Sequence, residues 1–254
     1  MAGTVTTAAR LNIRQGVPNT GAPVATQVEA GMVLAVLGLV RGESVHGNSD
    51  WYAAPNDTYF WSGAAGAFQS SVEVAGWAMR VHRRPNGTIR PLSEAEIRSV
   101  FGDIAVSEAG SGRVNLDPTW VAQNMVALRI PVLANIGLPS VQVHAKARDA
   151  FTRAFAEVQE AGLTDRILTC AGTFVPRHKG WNPSRGLSSH TWGIAVDLNV
   201  AWNGYGSVPA PIGSHGSVRE LVPRFEAAGF AWGGYFEPQP ICDGMHFELA
   251  RLDL

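Results

Sequence analysis

The stretch at 188–199, SSHTWGIAVDLN, decides how the second half of the chain folds. From Gly193 onward its residues alternate in character, and such alternation predicts a β-strand with two different faces. One face then carries three apolar residues, Ile194, Val196 and Leu198. The other face carries Asp197, and an acid in an otherwise apolar strand must be paired, exposed or bound to a metal. The stretch therefore predicts a strand that presents one functional carboxylate.

A second strand is predicted near the C-terminus, at 242–249, CDGMHFEL. On strand geometry His246 and Glu248 share one face, whereas Phe247 and Leu249 share the other. The polar face of this strand is the second candidate source of functional side chains.

Two imidazoles and one carboxylate are enough for a catalytic zinc site, in which three protein ligands leave a fourth position for water. His190, Asp197 and His246 supply that set. Hydrolysis at such a site needs no serine or cysteine nucleophile, but a carboxylate near the water must accept its proton. Asp243 is the candidate base. Glu248 is the rival, although it could instead hold a ligand in place through a hydrogen bond.

The complete pattern around these residues resembles a known family. Positions 188–197 match S-x-H-x-x-G-x-A-x-D at every defined residue, and Asp243-x-x-His246 follows. This pattern resembles the zinc peptidases that comprise D-alanyl-D-alanine carboxypeptidases and L-alanyl-D-glutamate endopeptidases. The resemblance covers about 141–249 and includes GTFVPR at 172–177 and GFAWGG at 229–234. It implies a Zn²⁺ ion bound by His190, Asp197 and His246.

The same resemblance suggests which residues contact the substrate. Arg177 stands where the family has an arginine that meets the substrate or the oxyanion, and a guanidinium binds the carboxylates of stem peptides bidentately. Ser188, Trp192 and Trp232 are assigned to substrate binding, although a place in the core is equally consistent with the two tryptophans. Many members carry glutamate where Asp243 stands, and an aspartate there resembles the endopeptidase branch.

The N-terminal region, 1–66, reads as short strands separated by turns, which is typical of a small barrel. Within it, LNIRQGVP at 11–18 is similar to the signature of bacterial SH3-like domains. The resemblance implies an all-β SH3-like barrel that binds cell-wall material. Trp51 and Trp61 would then either line a binding surface or fill the barrel core.

Between and beyond these motifs the pattern predicts further elements. The segment 67–115 is expected to be a joint with one short helix, because Ser93 and Glu96 have capping-box spacing. A loop is expected at 107–113. From 116 to 254 the pattern is that of an α+β domain with a central antiparallel sheet. Its helices are predicted at 118–128, at 140–161, where His144 would lie near the start, and at 218–228.

Composition excludes several classes of protein. The chain has 254 residues and a formal net charge of −1, which argues against a general nucleic-acid binder. No apolar run approaches the roughly 20 residues of a membrane span. Two cysteines, Cys170 and Cys242, exclude a multi-bridge scaffold and a four-cysteine zinc site. They would form either one disulfide or two buried thiols.

The sequence thus predicts a two-domain peptidoglycan hydrolase that uses zinc, acts outside the cytoplasm or at the cell wall, and is monomeric. Cleavage of the L-Ala–D-Glu bond is the first choice of reaction, and removal of terminal D-Ala is the alternative. A non-catalytic cell-wall-binding protein is the second alternative. The sequence as it stands shows no signal peptide, which would also suit a phage lysin.

Overall fold

The computed structural model describes residues 3–66, 69–70, 79–84, 87–236 and 242–254. The chain divides into two compact units, which are described separately. One contains the described residues up to 70 together with Arg83–Thr88, and the other contains Met79–His82 and Ile89–Leu254. The predicted limits of the joint at 67–115 remain predictions, and parts of that segment lie outside the described residues.

The described residues of the N-terminal unit form eight short strands. They are β1 Gly3–Thr6, β2 Leu11–Gln15, β3 Val24–Val28, β4 Val33–Val36, β5 Gly38–Val45, β6 Asn48–Ala54, β7 Thr58–Trp61 and β8 Gln69–Ser70. Strands β4-β1-β8 form one antiparallel sheet, and β3-β2-β7-β6-β5 form another. Because neither sheet closes on itself within the described ranges, the expected closed barrel is not observed. Trp51 is buried, and its indole N–H donates to the Glu43 carbonyl at 2.9 Å, so this ring belongs to the core.

The C-terminal unit begins with a capped helix and a hairpin. Helix α1, Glu94–Phe101, starts with the predicted capping box, in which Ser93 and Glu96 each accept a hydrogen bond from the other's backbone N–H. The loop expected at 107–113 is wrong. Strands β9, Val106–Gly110, and β10, Arg113–Leu116, form a hairpin there. The glycines that suggested a loop instead supply the left-handed turn between two strands.

The helix predicted at 140–161 is correct only in its second part. Strand β12, Val141–His144, pairs with β11, Met125–Leu128, and a single 3-10 turn leads into α4, Arg148–Glu160. The alternation of valine with polar residues at 141–144 has the period of a strand, but it is too short to stand out from the strong helical pattern beside it. His144 therefore ends a strand. The helix predicted at 118–128 is likewise shorter, since α2 is Pro118–Asn124 and leads into β11.

A four-stranded antiparallel sheet lies at the centre of this unit, as expected. Its strands are β13 Cys170–Gly172, β14 Ala195–Leu198, β15 Phe230–Trp232 and β16 His246–Leu249, in the order β13-β14-β16-β15. The remaining helices are α3 Pro131–Ala134, α5 Val200–Asn203 and α6 Val222–Ala227.

Helices α4 and α6 cover the apolar face of the sheet. Phe225 of α6 stacks on Phe247 of β16 with ring centroids 4.4 Å apart, and Phe151 of α4 meets Phe230 of β15 at 4.9 Å. Such aromatic pairs add to the free energy gained by burying apolar surface. With this face committed to the core, the polar residues of β14 and β16 lie on the other face. None of the helices in the described ranges is long and apolar enough to span a membrane.

Candidate metal centre

The register of two neighbouring strands creates the site. Asp197 of β14 lies directly opposite His246 of β16, and Ala195 lies opposite Glu248. Side chains of directly opposed residues in an antiparallel pair project on the same side of the sheet. Asp197 and His246 are thus brought together by backbone pairing alone.

His190 reaches the same place from a 3-10 turn, Ser189–Trp192, that precedes β14. The turn ends at Gly193, which has a left-handed φ of 65°. A Cβ atom on this glycine would lie 2.4 Å from Cε of Met125. The Gly193 carbonyl also accepts a hydrogen bond from the His144 N–H at 3.0 Å. The glycine in the motif is therefore required both by its backbone angle and by the close packing against β11 and β12.

The three predicted ligands form a buried triangle. Nε2 of His190 is 3.1 Å from Oδ1 of Asp197, and Nδ1 of His246 is 2.9 Å from the same oxygen. The two imidazole nitrogens are 3.2 Å apart. All three side chains are buried. These atoms have the identity and the clustering expected of metal ligands.

The remaining imidazole nitrogens are held by hydrogen bonds that fix the ring orientation. Nδ1 of His190 lies 3.0 Å from the Thr173 carbonyl oxygen, so it donates there and leaves Nε2 with its lone pair. Nε2 of His246 lies 3.2 Å from Oε2 of Glu248 and 3.3 Å from Oγ of Ser189. Its proton therefore points to Glu248, and Nδ1 is left facing the triangle. A carboxylate or carbonyl behind each ligating histidine is typical of protein zinc sites.

The triangle fits a zinc ion. Tetrahedral coordination with bonds of about 2.0–2.1 Å separates neighbouring ligand atoms by about 3.3 Å. The observed separations of 2.9 to 3.2 Å are close to that value. Two nitrogens and one oxygen are also a donor set that suits zinc. The residues present therefore match the group that the sequence pattern implies.

Charge within the triangle favours the ionised form of Asp197. Burial opposes ionisation, but the electrostatic attraction between the carboxylate and the imidazoles of His190 and His246 outweighs it and holds the pKa of Asp197 well below its usual value. The pKa of Glu248 is also lowered, because the hydrogen bond with His246 outweighs the effect of burial. A metal needs deprotonated ligands, and both carboxylates on this face of the sheet meet that requirement.

Asp243 lies at the start of the turn that leads into β16. Its N–H donates to the Gly233 carbonyl at 3.0 Å, and a Cβ atom on Gly233 would lie 2.4 Å from the Asp243 carbonyl oxygen. Oδ1 of Asp243 is buried and has no hydrogen-bond partner within the described part of the chain. Burial raises the pKa of Asp243. A buried carboxylate oxygen without a partner costs free energy, which a water molecule or a substrate group would recover.

Arg177 is held at the same site. Its Nη1 donates to Oγ of Ser188 at 3.0 Å, and its Nη2 lies 3.7 Å from Oδ2 of Asp197. Its backbone N–H and carbonyl both bond to Oγ1 of Thr191. Burial lowers the pKa of Arg177, against the opposing influence of Asp197 and Asp243. Ser188 therefore supports the guanidinium. It is buried, and its predicted direct contact with substrate stays a prediction.

The two tryptophans assigned to the substrate lie in the core. Trp192 is 0% exposed and its indole N–H donates to the Gly102 carbonyl at 2.9 Å. Trp232 is 1% exposed and donates to the Gly244 carbonyl at 2.7 Å. Because each ring is enclosed and its polar atom is satisfied internally, neither can line a cleft. The core alternative describes both residues.

Several residues near the site carried no clear sequence signal. Thr173 acts through its backbone carbonyl, which sequence patterns do not reveal. The residue types of Ser189 and Trp181 do not by themselves predict a role at the site. His178 is buried, and its Nε2 lies 2.8 Å from Oε1 of Glu108. The two cysteines are thiols, which agrees with one of the two alternatives.

Comparison with known proteins agrees with this geometry over part of the chain. Residues 181–249 match a family model described as D-alanyl-D-alanine carboxypeptidase. The matched segment contains the whole triangle and Asp243, whereas Arg177 lies outside it. A search of curated proteins found no match. The family match supports a peptidase, and peptidases of this kind depend on zinc, in agreement with the His-Asp-His group.

Proposed function

We propose that this chain is a zinc peptidase that hydrolyses the stem peptide of peptidoglycan. The observation that carries the proposal is the triangle of His190, Asp197 and His246, with each histidine oriented from behind. Structural zinc sites usually have four protein ligands, whereas three ligands leave room for water or substrate. The family match to a peptidase supports the same interpretation.

Bound zinc would supply Lewis-acid polarisation of the peptide carbonyl and of the attacking water. Asp243 accepts the proton of that water, since its partnerless Oδ1 is available for a new hydrogen bond. Glu248 does not compete for this role, because it is engaged by the imidazole of His246. Arg177 orients the substrate and stabilises the negative charge that develops on the carbonyl oxygen.

The L-Ala–D-Glu bond is the proposed cleavage site. This choice rests on the aspartate at position 243, which resembles the endopeptidase branch of the family. Release of a terminal D-Ala is the second candidate, and the description of the matching family model favours it. The N-terminal unit is proposed to bind the cell wall, which places the enzyme outside the cytoplasm. Tethering of this kind raises the local substrate concentration.

Metal analysis and digestion of purified peptidoglycan test the proposal together. We expect about one zinc per chain, the content of a single three-ligand site. Mass spectrometry of the products should show new N-terminal D-Glu if the endopeptidase assignment is correct, or free D-Ala if the carboxypeptidase is correct. The His246→Ala variant is the negative control. A zinc-loaded chain that releases neither product would contradict the enzyme and favour a non-catalytic wall-binding protein.

A further inference from the structure

An exposed aromatic residue with an unusual backbone conformation lies next to Arg177. Trp181 is 45% exposed and has a φ of 58°. A left-handed conformation is rare for a bulky residue and is kept only where the surrounding structure holds it. The guanidinium carbons of Arg113 and Arg177 each lie 5.1 Å from the centroid of its ring. One indole thus contacts two cations, one of which belongs to the candidate active site.

The hairpin β9–β10 holds this arrangement in place. Arg113 and Arg177 form an isolated antiparallel bridge, and the His178 N–H donates to the Gly112 carbonyl at 2.8 Å. Gly112 itself packs so closely that a Cβ atom there would lie 2.2 Å from the Trp181 carbonyl oxygen. The imidazole of His178 adds the contact to Glu108. The hairpin therefore contacts both the backbone carbonyl and the ring of Trp181, and these contacts fix its conformation.

Positive charge is concentrated here although the chain as a whole carries a net charge of −1. Arg113, Lys179 and Arg185 are exposed around Trp181. Three acids of this region are already engaged, Glu108 by His178, Glu94 by Arg98 and Asp197 by Arg177. Arg113 has no ion-pair partner among the residues that the structure describes. An exposed guanidinium stacked on an indole keeps its planar N–H groups free to bind a carboxylate.

We propose that Arg113 and Trp181 extend the site into a subsite that binds a carboxylate of the substrate beside the group held by Arg177. The inference rests on the proposed function and narrows its substrate class to acidic peptides. Trp181 positions both guanidinium groups, and Arg113 makes the direct hydrogen bonds. The guanidinium of Arg113 distinguishes a free carboxylate from a carboxamide at the same position, because it has no acceptor to offer an amide N–H.

Two synthetic stem peptides test this subsite. They are identical except that the α-carboxyl group of D-Glu is free in one and is a carboxamide in the other. We expect the zinc-loaded wild-type chain to prefer the free acid by about tenfold in kcat/KM, mainly through KM. Arg113→Gln should remove the preference, because it lowers kcat/KM for the free-acid peptide, and it should leave the zinc content unchanged. Arg148→Ala, which alters an exposed arginine on α4, is the matched control and should keep the preference.

Binding measured by calorimetry separates this inference from the proposed function. In an Asp243→Asn background, the free acid should bind about tenfold more tightly than the amide, and Arg113→Gln should abolish that difference. Trp181→Asn, which tolerates a left-handed backbone, should weaken binding of the acid to a similar extent. Hydrolysis of both peptides with equal binding would overturn the subsite and leave the peptidase intact. The opposite outcome is that the Asp243→Asn chain binds the acid more tightly than the amide while the zinc-loaded wild-type chain hydrolyses neither peptide. It would overturn the peptidase and support the subsite.

Discussion

The floor and the rim of the site differ in burial and in how their side chains are held. The floor consists of His190, Asp197 and His246 with their supporting groups, and all of it is buried. The rim consists of Arg113, Trp181, Lys179 and Arg185, and all of it is exposed. In the floor every imidazole nitrogen has a defined partner. In the rim Arg113 is held by stacking on Trp181 and by its place on the backbone of a hairpin.

This difference has an energetic basis. A polar atom that is removed from water must form a hydrogen bond within the protein, because burying it without a partner costs free energy. The buried groups of the floor therefore hold one another in one arrangement. An exposed cation can exchange a protein contact for water with little change in free energy. Changes in the floor should therefore abolish function, whereas changes in the rim should alter selectivity.

The largest effect is expected for the three ligands. His190→Ala, Asp197→Ala and His246→Ala should each remove both zinc and hydrolysis, because each deletes one member of a three-ligand site. Metal analysis and a peptide cleavage assay measure the two losses. His215→Ala, which removes an exposed histidine, is the matched control and should change neither. A variant that retains stoichiometric zinc would show that the residue is not a ligand.

Asp243→Asn should have the next largest effect. The variant should keep zinc and lose about 100- to 10,000-fold in kcat, since an amide cannot accept the proton. Asp243→Glu should recover part of the rate, if the extra methylene fits beside Gly233. Near-normal turnover in Asp243→Asn would mean that another group is the base. Loss of zinc would instead make Asp243 a ligand.

Glu248→Gln tests the support behind the floor. Replacing the charged partner of a ligating histidine should lower zinc affinity or activity by about 10- to 100-fold. Competition with a zinc chelator, measured in parallel for wild type and variant, gives the change in affinity. Glu160→Gln, at the exposed end of α4, serves as the control. An unchanged affinity would show that the contact between Glu248 and His246 contributes nothing to metal binding.

A smaller effect, on stability, is expected from His144, which is a buried histidine outside the floor. Burial lowers the pKa of His144 from 6.5 to about 4. The unfolded chain therefore binds a proton in this range before the folded chain does, and stability falls as the pH drops below 6.5. The loss attributable to this group should be about 2 kcal/mol between pH 7.5 and pH 5.

Denaturant unfolding of wild type and His144→Asn across this pH range isolates the contribution. The variant should be less stable at pH 7.5, because its shorter side chain cannot reach the Phe101 carbonyl, to which Nε2 of His144 lies at 3.1 Å. Its stability should nevertheless depend less on pH than that of wild type. Parallel curves for the two chains would show that His144 does not titrate in this way.

Sequence alone predicted the floor better than the rim for a physical reason. The floor follows from strand alternation and from a pattern of side chains that chemistry requires, so Asp197 is placed on the polar face of one strand, and His246 and Glu248 on the polar face of another. The supporting carbonyl of Thr173 could not be predicted, because any residue type provides a backbone carbonyl. The rim depends on the contact between a hairpin and a loop distant in sequence, so Trp181 carried no local signal.

Errors in the predicted elements have similar causes. The sequence pattern at 141–144 does not separate the strand from the helix that follows, because a short alternating segment beside a strong helical stripe is ambiguous in period. The glycine-rich segment near Ser111 predicts a loop, although the same residues make a hairpin turn. The sequence cannot place Trp192 and Trp232, because an indole suits both an exposed and a buried place, and only packing decides between them.

The direct pairing of Asp197 with His246 has a consequence for how this chain can vary. A one-residue slip between β14 and β16 would turn His246 toward α6 and bring Phe247 to the place of the imidazole. Insertions within either strand should therefore abolish metal binding. Only the correct register brings both ligands together. A bound metal ion would therefore also stabilise correctly paired strands over slipped ones during folding.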